Sequence, residues 1–278
     1  MKIIHSIKDI ADNYETFLID QWGVMHDGNI GFKHAIEAIE FLESKNKNLI
    51  IISNSSRRKN SSLEKLPLLG YRKNSFIEVL TSGELIWDLV NKLSLDKVQS
   101  SICLHIFDHT KEDGLSFRHG LKNISFTNNI KDADFILACT PYFNSKPVDY
   151  IPLLDQALEK NLVMYCANPD YETVVKDKKN IFCMGLIAKL YNKIGGKVII
   201  KGKPDKSIYE QSTKKIDLNK SKTIAIGDSL FHDIKGANEF NIDSVLVTSG
   251  IHSNLININK LVNNHQIMPN YAIESFSI

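Results

Sequence analysis

The sequence predicts an α/β fold in which strands and helices alternate and the strands form an open parallel sheet. Short apolar runs recur between segments with helical spacing of apolar residues. The continuous run 49–52 is typical of a parallel strand buried on both faces. Four of the runs end in a polar side chain, namely Asp20, Ser53, Lys203 and Asp228. Because ligands bind at the carboxyl edge of such a sheet, we expect these groups to meet there.

The N-terminal elements alternate in the order that βαβ units require. The pattern predicts strands at residues 17–20, 49–52 and 78–80 and helices at residues 33–45 and 83–93, with a further helix opened by the polar segment SNSSRRKNSS. This first third of the chain therefore forms one half of a parallel sheet.

A second α/β pattern follows from residue 101, and its strands lack the polar ends of the first set. Its apolar runs are ICLHIF, ISFTN, DADFILACT and LVMYC, with a helix at IPLLDQALEK. The chain then returns to the first sheet through the helix MGLIAKLYNKIGG, which ends at Gly195-Gly196, a typical helix stop. The strands VIIKG, TIAIGD and VLVTSG complete the sheet, with VLVTSG as the last strand.

Composition excludes several classes of protein. The chain has 278 residues, 43% of them hydrophobic and 24% charged, with a net charge of +2, which is ordinary for a globular protein. Its lysines are scattered, so we expect no nucleic-acid partner. No run reaches the ~18 apolar residues of a membrane helix, so we expect no membrane partner. The four cysteines form no CxxC pair and the N-terminus has no secretory pattern, which predicts free thiols and a cytoplasmic location.

The acids at the predicted sheet edge suit a divalent cation. Asp20 and Asp228 would follow neighbouring strands, and carboxylates are the ligands that Mg²⁺ prefers. Asp233 lies five residues after Asp228. On one helix the two would point about 140° apart, so they converge only if Asp228 is in the loop and Asp233 in the first helical turn. Asp233 would then hold a metal-bound water or orient Asp228; its other interpretation is an acid that stabilises a helix N-terminus.

The remaining groups at this edge suit a phosphate. Ser53 would donate its hydroxyl, and the backbone N–H groups of Asn54 and Ser55 would begin a helix, which is a natural anion site. Lys203, between Gly202 and Pro204, would neutralise negative charge. The alternatives are a helix cap at Ser53 or Ser55 and a solvated lysine.

Four segments contain these groups, namely FLIDQWGVMHDG, IIISNSSRR, VIIKGKPD and TIAIGDSLFHDIKGAN. They resemble the four motifs of the haloacid dehalogenase-like hydrolases. The stretches GKPDKSIYE and GDSLFHDIKGAN are most similar to the class IIA, NagD-like phosphatases. The resemblance implies a Rossmann-like core at residues 1–95 and 186–278. A large α/β cap would be inserted at residues 96–185, with Gly185 at the return to the core.

The same resemblance implies a Mg²⁺-dependent phosphatase that acts through an aspartyl phosphate. Asp20 would be the nucleophile, with Ser53 and Lys203 as the other catalytic residues. Mg²⁺ would be held by Asp20, the backbone carbonyl of Trp22 and Asp228, with Asp233 beside them. The substrate would be a small phosphorylated metabolite, such as a sugar phosphate or a nucleotide, and a homodimer is left open.

A cap loop also has a family counterpart. The segment ANPDYE resembles the Asn-Pro-Asp loop of class IIA caps, which faces the active site. By that resemblance Asn168 and Asp170 bind substrate, together with Asn54 and Ser55. The turn-rich segment TPYFNS at residues 140–145 is a second candidate, and a plain turn is the alternative interpretation for both.

One residue departs from the family pattern. The phosphatases usually read Asp-x-Asp in the first motif, where this chain has Trp22 in place of the second acid. Indole can neither protonate a leaving group nor activate water. We hypothesise that His26 or Asp27 in the following flap substitutes for it. The alternatives are a phosphate-ester binding or regulatory protein with little turnover, or a phosphotransferase or phosphonate hydrolase.

Overall fold

The computed structural model describes residues 1–95, 100–175, 179–251 and 258–278. Its strands are β1 (Lys2–Ile3), β2 (Thr16–Ile19), β3 (Asn48–Ser53), β4 (Glu78–Thr81), β5 (Ser101–Ile106), β6 (Ile124–Thr127), β7 (Phe135–Ala138), β8 (Val163–Cys166), β9 (Glu172–Val175), β10 (Lys179–Phe182), β11 (Lys197–Ile200), β12 (Thr223–Gly227), β13 (Asp243–Val247) and β14 (Tyr271–Ile273). Its α-helices are α1 (Lys8–Ala11), α2 (Lys33–Ser44), α3 (Lys59–Lys65), α4 (Ser82–Leu95), α5 (Glu112–Ser116), α6 (Ile151–Glu159), α7 (Met184–Lys193), α8 (Lys206–Ser212), α9 (Lys235–Phe240) and α10 (Ile258–His265). None of the helices in these ranges is long and apolar enough to span a bilayer.

The larger sheet is parallel throughout and has the order β1-β14-β13-β12-β2-β3-β4. Successive residues of its central strands alternate between two hydrophobic clusters, one on each face. In β3, Leu49 and Ile51 pack in one cluster, whereas Ile50 and Ile52 pack in the other. The predicted fold class is confirmed, because both faces of the sheet are covered as in doubly wound α/β proteins.

The order of strands along the chain reverses at the centre of this sheet, between β2 and β12. The catalytic candidates Asp20 and Asp228 follow these two strands. From β2 the chain proceeds to β3 and β4 on one side, and it later adds β12, β13 and β14 on the other. Asp20 follows β2 and Asp228 follows β12, and these two strands are neighbours. A crevice for ligands opens at such a switch point.

The second sheet is also parallel and has the order β11-β8-β7-β5-β6. It has its own switch point between β5 and β7. An antiparallel hairpin of β9 and β10 is separate from it. This is the cap that the sequence predicted between the second and third motifs.

The predicted return to the core at residue 186 is wrong. Strand β11 pairs with β8 of the cap sheet, and Ile187, Ala188 and Tyr191 of α7 pack in a hydrophobic cluster of the cap. The apolar run of β11 resembles a core strand, and only its pairing partner assigns it to the cap. The chain re-enters the core after Ile200, immediately before Lys203.

The first predicted boundary of the cap, at residue 96, lies outside the described residues. Helix α4, which ends just before it, packs on both domains. Leu85 packs on the core cluster, whereas Ile86 and Val90 pack on a cap cluster. The helix therefore forms the joint between core and cap.

The last strand was also predicted incorrectly. VLVTSG forms β13, but β14 pairs beyond it and β1 pairs with β14. Both added strands are only two or three residues long, too short to show the alternation by which strands are recognised in a sequence. Apart from the helix predicted to open at Asn54 and Ser55, which begins at Lys59, the other predicted strands and helices of the core lie within about two residues of their observed bounds.

Candidate active site

Lys203 lies at the centre of the site, and its side chain is almost completely buried. Its ammonium donates to Asp20 Oδ1 at 2.5 Å, to Asp233 Oδ1 at 2.8 Å and to the backbone carbonyl of Ile52 at 3.1 Å. The ammonium is thus bound by two carboxylates and by one backbone carbonyl of β3. A solvated lysine, the alternative considered for this position, is excluded by this burial.

Three carboxylates converge beside the ammonium. One oxygen each of Asp20, Asp228 and Asp233 lies within 4.8 Å of the others. Asp228 is in the loop after β12, and Asp233 is in the helical turn Leu230–Ile234 that follows. This is the arrangement that the five-residue spacing required. The backbone N–H of Ser229 donates to Asp233 Oδ2 at 3.1 Å and fixes that turn.

Two glycines, Gly23 and Gly250, leave space for the Asp228 carboxylate. A Cβ on either Gly23 or Gly250 would lie 2.1 Å from Asp228 Oδ2, so neither position has room for a side chain. Gly23 also has a φ of +75°, which disfavours other residues. The Ile251 N–H donates to the same carboxylate oxygen at 2.8 Å. The carboxylate is therefore held in one orientation beside Asp20.

The site has more negative than positive charge. Burial raises the pKa of Asp20 to about 7. The Lys203 ammonium opposes this rise only in part, and the nearby Asp233 carboxylate adds to it. Burial, with Asp20 and Asp233 nearby, also raises the pKa of Asp228 well above its usual range. A bound cation would favour the ionised form of both carboxylates, which burial disfavours. The donor set of clustered, buried oxygen ligands fits Mg²⁺.

The phosphate-binding candidates line the same cavity. Ser53 ends β3 and is buried, and Ser55 follows it at the cavity wall. The Ser55 N–H lies 3.4 Å from Ser53 Oγ, a long contact that leaves the Ser53 hydroxyl able to donate elsewhere. Both serines line the cavity, but the predicted helix does not begin at Asn54 and Ser55. It begins at Lys59 as α3, because the Ser82 and Thr81 hydroxyls donate to the Ser55 and Arg57 carbonyls and hold the preceding segment as a loop.

Asn54 and Asp170 also reach the cavity, but they bind each other. Asn54 Nδ2 donates to Asp170 Oδ1 at 2.7 Å and to the Lys203 carbonyl at 3.1 Å, while Asn54 Oδ1 accepts from the Lys203 N–H at 2.7 Å. The contact joins the core to the cap loop. Asn168 turns that loop by accepting the Asp170 N–H at 3.0 Å. These side chains position Lys203 and the cap in addition to facing the cavity.

The cavity itself lies between the carboxyl edges of the two sheets and has a volume of about 580 Å³. On the core side its lining includes Asp20, Ser53, Lys203 and Asp228. On the cap side it is lined by residues that follow β5 and β7, including Asp108 and residues 139–145. Each domain thus contributes the switch point of its own sheet.

The flap hypothesis for the missing acid is not supported. Trp22 lines the cavity, but neither His26 nor Asp27 is part of the described lining. His26 is buried against the indole, its Nδ1 accepts the Gly28 N–H at 3.0 Å, and burial lowers its pKa to about 4. Asp27 accepts the N–H groups of Asn29 and Ile30, each at 2.9 Å. Both side chains therefore hold the hairpin turn.

His232 is a cavity residue that the sequence interpretation missed. Its Nδ1 lies 3.2 Å from Asp170 Oδ1 and 3.1 Å from Ser229 Oγ. It directly precedes Asp233 in the fourth motif, and its position four residues after Asp228 could have indicated a side chain directed to the same edge. His232 and Asp170 form a second polar contact between core and cap.

Replacing Lys203 with Met should damage both stability and any catalysis that uses this site. The change leaves Asp20 and Asp233 buried without their shared cation, and breaking such a pair typically costs about 3–5 kcal/mol. Loss of one preorganised charge at a reaction centre typically lowers kcat about 10²–10³-fold. Urea unfolding and steady-state kinetics would measure the two effects. Lys201→Met, on the same segment, is the matched control and should change neither; equal effects in both variants would contradict the assignment.

Two family models match the chain, one in each of its halves. The haloacid dehalogenase-like hydrolase model matches residues 17–113, and the HAD-hydrolase-like model matches residues 200–276. The chain belongs to the haloacid dehalogenase-like hydrolases. The resemblance seen in the four motifs, and with it the prediction of a hydrolytic enzyme, is confirmed.

Similar proteins extend over the whole chain. A haloacid dehalogenase-like hydrolase from Brucella suis 1330 is 26% identical, with a TM-score of 0.84 over 98% of this chain and 99% of its own. A possible sugar phosphatase from Cytophaga hutchinsonii ATCC 33406 has a TM-score of 0.80 at 20% identity, covering 100% and 99%. Phosphoglycolate phosphatase 2 from Arabidopsis thaliana is 22% identical over 98% of this chain and 94% of its own. These matches include the cap, as expected for the class IIA branch.

Proposed function

We propose that this haloacid dehalogenase-like hydrolase is a Mg²⁺-dependent, NagD-like phosphatase of a small phosphorylated metabolite. The observation that carries the proposal is the buried cluster of Asp20, Asp228 and Asp233 around the Lys203 ammonium, at the floor of a cavity closed by the cap. The names of the relatives, a phosphoglycolate phosphatase and a possible sugar phosphatase, support phosphate esters as the substrate class. Four free, buried cysteines support a reducing compartment such as the cytoplasm.

Asp20 would attack the phosphorus atom of the ester. Its Oδ1 is held by the Lys203 ammonium at 2.5 Å, so the other oxygen can point into the cavity. The attack forms a phosphorus–oxygen bond to Asp20 and breaks the bond to the leaving alcohol. Lys203 and the Ser53 hydroxyl would stabilise the negative charge on the transferring group. Water then attacks the phosphorus of the aspartyl phosphate and breaks its bond to Asp20. This restores the Asp20 carboxylate and releases inorganic phosphate, with one proton of the water passing to solvent.

The proposed Mg²⁺ would be held by Asp20, the Trp22 carbonyl and Asp228, with Asp233 orienting the group around it. When bound, Mg²⁺ neutralises charge on phosphoryl oxygens. Asp233 is less suited to direct binding, because both of its oxygens already accept hydrogen bonds, from Lys203 and from the Ser229 N–H.

Removal of the metal should therefore destabilise the fold. We expect a higher Tm in excess Mg²⁺ than in EDTA, since binding to the folded state alone stabilises it. The gain should be larger at about pH 8 than at about pH 5, because the raised pKa values of Asp20 and Asp228 let protons compete with the cation at low pH. Thermal unfolding would measure this, and Asp228→Asn should remove the response. An unchanged response in that variant would place the metal elsewhere.

Hydrolysis of a generic aryl phosphate, with and without Mg²⁺, tests the activity directly. Turnover that requires Mg²⁺ is the expected result. Absence of turnover, with phosphate ester still bound, would favour the second candidate, a binding or regulatory protein. That candidate is motivated by Trp22, which lines the cavity where related phosphatases place an acid.

A further inference from the structure

The cap loop at residues 167–170 packs against the core directly beside the catalytic lysine. Gly202, the residue before that lysine, shows how close the packing is. A Cβ there would lie 2.6 Å from Asn54 Oδ1, 2.8 Å from Ser82 Cβ and 3.0 Å from Pro169 Cγ. These neighbours belong to the loop after β3, to the start of α4 and to the cap loop. Three separate segments of the chain therefore meet where the catalytic lysine begins.

The Asn54 amide connects the cap loop to the backbone of Lys203. Both backbone polar groups of Lys203 bind this amide, since Asn54 Oδ1 accepts the Lys203 N–H at 2.7 Å and Asn54 Nδ2 donates to the Lys203 carbonyl at 3.1 Å. The second hydrogen of Nδ2 goes to Asp170 Oδ1 at 2.7 Å. Asn54 is only 4% exposed, so without Asp170 this hydrogen would be buried and unpaired, which is unfavourable. The orientation of the amide thus depends on the cap carboxylate.

The Ser82 hydroxyl is a second connection to the same loop. Ser82 is completely buried at the start of α4, and its Oγ lies 2.6 Å from the Ala167 carbonyl of the cap and 3.1 Å from the Ser55 carbonyl of the core. A hydroxyl has a single hydrogen to donate, so the two carbonyls share it. The Ser55 carbonyl also accepts the Gly83 N–H at 3.0 Å. The shorter contact therefore serves mainly to hold the cap loop.

Asp170 is better suited to this joint than to binding a phosphoryl group. Its Oδ1 has two neighbours on the core, Asn54 Nδ2 at 2.7 Å and His232 Nδ1 at 3.2 Å. A carboxylate also repels an anionic phosphoryl group. The charge of Asp170 is thus directed to the core side chains that surround the lysine.

We propose that Asn54 and Ser82 are positioning residues, through which the cap loop at residues 167–170 keeps Lys203 in its catalytic position. The proposal rests on the proposed phosphatase function and deepens it. The ammonium stabilises the transferring phosphoryl group fully only while the cap loop is in place. A displacement of about 1 Å at a reacting group can lower the rate about 10²-fold, so a small movement of the loop has a large effect on turnover.

Two substitutions of Asp170 distinguish positioning from substrate contact. With 4-nitrophenyl phosphate, Asp170→Ala should lower kcat about tenfold to hundredfold and leave KM within about twofold. Asp170→Asn should recover most of this loss, because an amide oxygen still accepts a hydrogen bond from Asn54. A raised KM with an unchanged kcat in Asp170→Ala would show a substrate contact and would overturn the proposal.

Ser82→Ala tests the second connection. It should lower kcat about fivefold, the scale of one hydrogen bond between neutral groups. Ser212→Ala is the matched control and should leave kcat unchanged. Ser212 is also completely buried, and its hydroxyl donates to the Tyr209 carbonyl at 3.0 Å within the core. Equal losses in both serine variants would reduce the role of Ser82 to general stability and would overturn its assignment.

A double-mutant cycle shows whether Asn54 acts through the lysine. Asn54→Ala keeps the backbone N–H and should lower kcat about tenfold to hundredfold in the wild-type background. In the Lys203→Met background it should have almost no further effect, because residues that act through one group are not additive. An equal fold loss in both backgrounds would contradict positioning of Lys203.

NMR of the Lys203 ammonium separates this inference from the proposed function. A buried ammonium bound by three oxygens should exchange slowly and give its own signal in ¹⁵N-lysine-labelled protein, and loss of that signal in Lys203→Met assigns it. Asp170→Ala and Ser82→Ala should shift or broaden the signal, whereas Ser212→Ala should not. If the signal responds in this way but no phosphate ester is hydrolysed, the phosphatase function is wrong and the positioning stands. If esters are hydrolysed while neither the signal nor kcat responds, the positioning is wrong.

Discussion

Asp20→Asn should abolish hydrolysis of phosphate esters, with a loss of at least about four orders of magnitude, the scale seen when a catalytic nucleophile is removed. The amide has the shape of the carboxylate but cannot attack phosphorus. The fold should survive, because Lys203 keeps its contacts with Asp233 and the Ile52 carbonyl. Steady-state kinetics with an aryl phosphate, together with circular dichroism, would measure both properties.

A matched control is available on the same strand end. Gln21 is the adjacent buried residue, and Gln21→Glu introduces an acid one position away. In the Asp20→Asn background this acid should not restore turnover, since Asp20 lines the cavity whereas Gln21 is not part of its described lining. Near-wild-type activity in Asp20→Asn would contradict covalent catalysis by Asp20.

Trp22→Asp should raise steady-state turnover by at most about 10²–10⁴-fold, the usual contribution of a general acid–base. Trp22 occupies the place of that acid, and neither His26 nor Asp27 lies in the described cavity lining. The indole lies directly over Gly28, where a Cβ would be 2.1 Å from its Cη2 atom. The variant therefore also leaves a void, which costs stability.

Trp22→Asn separates these two effects. It creates the same void but cannot transfer a proton, so the ratio of turnover between the Asp and Asn variants measures acid–base catalysis alone. Asp27→Asn should leave turnover within about twofold of the wild type, the usual range for a surface turn residue. Equal turnover in the Asp and Asn variants would show that a general acid at this position is not what limits the enzyme.

The sequence was sufficient to predict the parallel core sheet and the residues at its catalytic edge. Both follow from local patterns, since an apolar run that ends in Asp20 or Asp228 specifies a strand and the group after it. The assignment of β11 to the cap depended on a pairing partner, β8, that no local pattern specifies. The sequence did not predict strands β1 and β14, because two or three residues are too few to show an apolar pattern.

Side-chain partners were the least predictable part of the site. The residue types of His26 and Asp27 allow acid–base chemistry. In the structure His26 is buried, and both side chains accept backbone N–H groups of the flap turn. Asn54 and Asp170 were predicted as substrate groups, and their mutual contact across the domain joint depends on tertiary geometry. The same holds for His232, which reaches the cavity only because the turn Leu230–Ile234 brings it there.

Pre-steady-state kinetics with 4-nitrophenyl phosphate tests the central claim most directly. Nitrophenolate leaves without protonation, so the first step does not need the missing acid, whereas hydrolysis of the aspartyl phosphate does. We expect a burst of nitrophenol equal to the enzyme concentration, with acid-stable, hydroxylamine-labile phosphate on the peptide that contains Asp20. A linear release of nitrophenol with no phosphate on that peptide would contradict it.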